Sequence, residues 1–277
     1  TSEQNINPAP RQAAPGAGNR AALRAGGTAV TMAGLAGTTW FALELMPPLL
    51  GFEDTDNPAV SLDYLRQHPQ VYAFAGITMF AMALALIVAS FAVSDALGPR
   101  ISSLTRRSLS ALGLFSAAFF FMHGVLRSSV GALLYIESLK SAWGESTYLT
   151  IQALGIHGFA QAGIMTLAVW AVGICAAGAR SRALPLWLCV LGVFPGLRVV
   201  ILTAGPFMTA GTGVSGTNGG TGAIDLSEFL WLGSIALIPL AMLWWLGLGM
   251  VLLLKARHTR EPGPGSPAQW ETPGRNT

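Results

Sequence analysis

The chain has 277 residues, 52% hydrophobic and only 10% charged, with a mean hydropathy of +0.53. A soluble domain carries about 25% charged residues, so a deficit of this size, spread over several long apolar runs, excludes an ordinary soluble fold and indicates a polytopic membrane protein. The net charge of +3 and pI near 9.2 do not point to nucleic acid, because the basic residues lie in short segments between apolar runs, where membrane topology accounts for them.

Residues 1–24 are polar and rich in Ala, Pro and Gly, and are expected to form a disordered tail. The run that follows is too long for a signal-peptide core and lacks a clear small-x-small cleavage site, so it reads as a retained span. Six runs are long enough to cross a bilayer core of about 30 Å. They lie near 26–49, 71–93, 108–134, 149–177, 183–204 and 229–253. The expected fold is an all-α bundle of six transmembrane helices over residues 25–255, with a second disordered tail at 256–277.

In chain order, span one carries Glu44 near its end. The segment 50–70 contains Glu53, Asp54, Asp56 and Asp63. It lacks the spacing of a calcium loop and reads as an acidic capped turn leading into a short surface helix. Span three contains FFFMHGVLRSSVG, which puts His123 near its middle and Arg127 about 6 Å along the axis from it. Span four brings Gln152, His157 and Gln161, and an echo of span three: HGVLR at 123–127 and HGFAQ at 157–161. Span five holds GVFPG and then Arg198. The segment 205–227 is rich in Gly, Ser and Thr, without the strand and lysine of a phosphate loop, and reads as a flexible loop or lid. Glu228 caps span six, which contains Pro239. Cys175 and Cys189 lie inside apolar runs and behave as small hydrophobes, with no disulfide expected and no metal-type pairing. Trp40, Trp143, Tyr148, Phe229 and Trp231 fit an outer interface belt and Trp187 an inner one.

Orientation follows from the sixteen Lys and Arg residues. Twelve fall on one side: Arg11, Arg20, Arg24, Arg100, Arg106, Arg107, Arg180, Arg182, Lys255, Arg257, Arg260 and Arg275. Only Arg66 and Lys140 fall on the other, while Arg127 and Arg198 lie within spans. The positive-inside bias therefore expects both termini in the cytoplasm of a cell (plasma) membrane protein.

With that orientation, nearly every ionisable group within the spans lies between the midplane and the outer face. Arg198 sits about 7 Å and Glu44 about 10 Å outward of their span centres. An arginine at mid-membrane costs about 2.5–3.5 kcal/mol on insertion scales, so both should face the bundle interior and meet an acid or water. Glu44 is the natural partner. His123 and Arg127 share a helix face, as do His157 and Gln161. The expected site is an outward-facing polar pocket built from Glu44, His123, Arg127, His157, Gln161, Arg198 and Glu228, taking a small anionic or lipid-like ligand.

Other readings remain beside it. The pocket could belong to an enzyme acting on a lipid-like substrate, with a histidine as base, Glu44 as acid and the arginines as charge stabilisers. His123 and His157 could ligate haem, although their estimated depths differ by several ångströms; otherwise no cofactor is expected, and two histidines with one glutamate make a thin metal site. The polar residues could equally fix helix register alone, as structural ion pairs and hydrogen-bonded core histidines. The expected partners are the bilayer and that ligand, with no nucleic acid.

Two stretches, SRALPLWLCVLGVF at 181–194 and EFLWLGSIALIPLAMLWWLGLG at 228–249, carry a resemblance. With the hydropathy layout over residues 24–255, the chain resembles a bacterial family of six-helix integral membrane proteins grouped as a domain of unknown function. The resemblance implies a fold and no reaction. Such proteins often carry an acidic residue shortly after an arginine in span three. Here Arg127 is followed by Ser128, Ser129 and Val130.

Overall fold

The computed structural model describes residues 15–49, 58–98, 100–136, 144–201, 233 and 236–258, and of 15–19, 45–49, 58, 156 and 157 the backbone alone. All elements among the described residues are helical. In chain order they are α1 (Pro15–Leu49), α2 (Pro58–Gln67), α3 (Pro69–Ala96), α4 (Ser103–Leu133), α5 (Glu145–Gln152), a π-helix (Ala153–Ala160), α6 (Gln161–Ser181), α7 (Leu186–Ile201, with a turn at Gly192) and α8 (Ile238–His258).

Four stretches are long and apolar enough to cross a membrane: α3, α4, α8, and the continuous run from α5 through the π-helix to the end of α6. α7 is a shorter apolar helix. α1 is longer than any single span needs but is diluted by Gly and Thr. It begins at Pro15, so helix reaches back into the segment read as a tail, where Leu23 is buried and Arg20 Nε donates to Ala256 O at 3.1 Å.

Helix starts follow local chemistry. Proline opens α2 and α3, where the missing N–H costs nothing. Ser102 caps α4, its hydroxyl accepting from Thr105 N at 3.1 Å. α6 ends on Arg182 in the left-handed region, φ 56°, while Ala183 N donates back to Gly178 O at 2.9 Å and closes the turn.

α1 packs on α3 and α8, α3 on α4, α4 on α6, α6 on α7, and α7 on α8, so the packing runs in a closed circuit. One face of α4 explains the FFFMHGVLRSSVG stretch. Leu109, Gly113, Ser116, Ala117, Phe120, His123, Gly124, Arg127, Val130 and Gly131 are all buried, at helical spacing. Glycine meets glycine here: a Cβ on Gly124 would stand 2.8 Å from Gly76 O and 2.8 Å from Phe80 N of α3. Side-chain hydrogen bonds stitch the same helix to its neighbours, Ser110 Oγ to Ser94 Oγ and Ser116 Oγ to Gly163 O, both at 2.9 Å.

The large core centres on Trp170, Trp244, Phe120, Met79 and the leucines of α3 and α8. A smaller cluster lies at one end, where Leu62 and Leu65 of α2 cover Tyr72, Val130, Leu134 and Tyr148. The short surface helix expected after the acidic turn is therefore α2, laid across the ends of α3, α4 and α5.

Candidate functional site

Arg127 is the most deeply buried cation among the described residues, 4% exposed. Its guanidinium meets Glu44 of α1 with both terminal nitrogens: Nη2 donates to Oε2 at 3.0 Å, and Nη1 pairs with Oε1. This fork is the strong form of an arginine–carboxylate pair. Two aromatics complete it. The Tyr72 ring lies under the guanidinium, 4.2 Å from Cζ to centroid, and Trp40 Nε1 donates to Glu44 Oε1 at 2.9 Å. The sequence pairing of Glu44 with an arginine thus holds for Arg127.

The pair forms one wall of a polar cavity of about 50 Å³ beneath α2, lined also by Ser61, Tyr64, His68, Tyr72, Tyr148 and Gln152. One water needs about 10–15 Å³ of such space, so this cavity suits a few waters or a small polar molecule. Gln152 donates to the Tyr148 hydroxyl at 2.6 Å, leaving its own carbonyl oxygen without a partner among the described residues.

His123 lies one turn from Arg127 and is fully buried. Its ring meets Trp40 edge-on at 6.1 Å between centroids. Nδ1 faces Gly155 in the π-helix, close enough to feel that backbone, but neither ring nitrogen closes a hydrogen bond of good geometry among the described residues. π-Helical turns are rare and gather at functional sites. Here the wide turn presents a glycine to the imidazole, where a Cβ would stand 3.4 Å from Nδ1. His157 lies in that π-helix, and its side chain is outside the described residues. Neither the polar cavity nor the central one described next includes His123 in its lining.

Arg198 goes elsewhere. It does not join Glu44, whose carboxylate is already forked by Arg127; it lines a second cavity of about 100 Å³ on the axis of the circuit. Six helices contribute: Phe41 from α1, Met82 from α3, Phe120 from α4, Ala168 from α6, Arg198 from α7 and Trp245 from α8. Arg198 stacks its guanidinium over Phe41 at 5.4 Å, its Nε has no hydrogen-bond partner, and it makes no ion pair among the described residues. The wall is otherwise almost wholly apolar.

Of the remaining expected site residues, Gln161 opens α6, half-buried, and lines neither cavity. Glu228 lies outside the described residues, as do Trp143, Phe229 and Trp231. Of the aromatics expected at the outer interface, Trp40 lines the central cavity and donates to Glu44, and Tyr148 is buried under α2. Trp187 is half exposed. Tyr72 and Met82 carried no sequence signal, being unremarkable members of an apolar span. Trp40 did carry one, since it stands four residues before Glu44 on the same face.

The chain matches no family model, no curated protein and no solved structure.

Proposed function

We propose that the protein is a six-span plasma-membrane protein, both termini cytoplasmic, of the kind its resemblance implies, and that it binds a small anionic or lipid-like ligand. The carrying observation is the contrast between its two intramembrane arginines. Arg127 has its counter-charge in Glu44 and its face covered by Tyr72. Arg198 stands in the wall of an apolar cavity with no carboxylate partner among the described residues. A cation in that setting is costly until an anion or water meets it. A ligand that supplies the anion converts the cost into affinity, and the cavity gives it a place to stand.

Glu44 and Arg127 then tie α1 to α4, both of which pack on α3, and the polar cavity above them is a wet vestibule. Catalysis is supported less well. The candidate base His123 is sealed behind Trp40 and the π-helix, out of contact with either cavity.

Native mass spectrometry of protein extracted into nanodiscs tests this. Wild type should carry an acidic adduct that Arg198→Gln loses, while the charge-neutral pair variant Glu44→Gln/Arg127→Gln keeps it. An adduct held equally by Arg198→Gln would overturn the reading.

A further inference from the structure

We infer that the ligand is a single-chain acid, its headgroup on Arg198 and its tail running along the bundle axis to a tryptophan floor that sets the tail length. This rests on the ligand-binding reading above and adds its chemical class. Three helices measure the central cavity independently. Its lining runs from Gly34 to Phe41 on α1, from Ile164 to Ala171 on α6 and from Ile238 to Trp245 on α8. Each interval is seven residues, which at 1.5 Å per residue is about 10 Å.

The levels agree as well. Arg198 lies over Phe41, at the end of the cavity nearer α2. At the other end a Cβ on Gly34 would strike Trp245, so those two residues share the deep level. There Trp245 stacks on Trp170 at 5.9 Å and meets Trp244 at 5.0 Å, closing the cavity with packed indoles. The charge is thus at one end and the apolar dead end at the other, which is the polarity of an amphiphile.

Water is a poor occupant of the deep part, since a buried water needs two to four polar partners and the walls there are Gly, Ala and Trp. The cavity, about 100 Å³ between six helices, favours one tail over the two of a diacyl lipid. An extended chain gains roughly 1.2 Å per bond, a third of the rise per residue of an extended backbone, so a 10 Å shaft takes about eight carbons. The guanidinium fork accepts a carboxylate or a phosphate monoester alike, and the experiment separates the two.

Thermal unfolding of the full chain in zwitterionic nanodiscs is measured with butanoate, octanoate, hexadecanoate, octyl phosphate and octanol. Octanoate or octyl phosphate should raise the midpoint most, whichever does so naming the headgroup. Butanoate and hexadecanoate should raise it less and octanol least. Arg198→Gln should bring the eight-carbon acids down to octanol. Trp245→Leu should move the optimum towards hexadecanoate; if that variant does not accumulate, the wild-type length profile decides alone. Stabilisation by acids of every length, lost in Arg198→Gln, would overturn the length gauge and leave the ligand-binding reading standing. No stabilisation by any acid would overturn both.

Discussion

Arg127 carries a charge that hydrocarbon would reject, and the cost is offset by three neighbours acting together: the Glu44 fork, the Tyr72 ring and the Trp40 hydrogen bond that aims the carboxylate. Removing one partner of a buried pair leaves an uncompensated charge, costing about 3–5 kcal/mol, whereas replacing both by neutral groups is often nearly harmless. Glu44→Gln should therefore lower the thermal midpoint markedly, and Arg127→Gln nearly as much, while the double substitution recovers most of the loss. The cycle is read by unfolding of detergent-purified protein. Additive losses would mean that the two side chains do not act as a pair.

At the scale of the helix, α3 and α4 meet where neither has a side chain. Without a hydrophobic drive between helices in lipid, close backbone packing supplies the association, and glycine permits it. Gly124 has the backbone of α3 within 2.8 Å of where a Cβ would sit, and backbone cannot step aside as a side chain can. Gly124→Val should cost about 1–3 kcal/mol through overpacking and splay α4, along with Arg127, from α1. Gly144→Ala, at a position with nothing within 4 Å, is the control and should leave the midpoint unchanged. A Gly124→Val protein as stable as the control would mean that α3 and α4 do not approach so closely. The π-helix belongs to this scale too. It widens one turn of a 37-residue helical stretch and lets the backbone at Gly155 rest on His123.

Across the whole molecule, what could be read from the sequence depended on whether depth or azimuth decided it. Long apolar runs and 1.5 Å per residue give depth, and depth matching found Glu44 for Arg127. Azimuth is set by packing, which is why Arg198, at a similar depth, turns towards an axial cavity of its own and why that cavity's lining from six helices carried no pattern along the chain. The π-helix shifts hydrogen-bond register by one residue and leaves composition untouched, so it too was silent. Sidedness remains a matter of charge. Arg20, Arg100 and Lys255 donate to the carbonyls of Ala256, Ser181 and Ala96, gathering basic groups at the end opposite α2, where they also complement helix C-termini. The proposed positive-inside orientation would put α2 and the start of α5 outside the cell. In a Cys175→Ala/Cys189→Ala background, Ser146→Cys at the exposed start of α5 should react with an impermeant maleimide on intact cells. Ser103→Cys, exposed at the start of α4, should react only after the membrane is opened. The reverse labelling would invert the topology and turn the Arg198 cavity towards the cytoplasm.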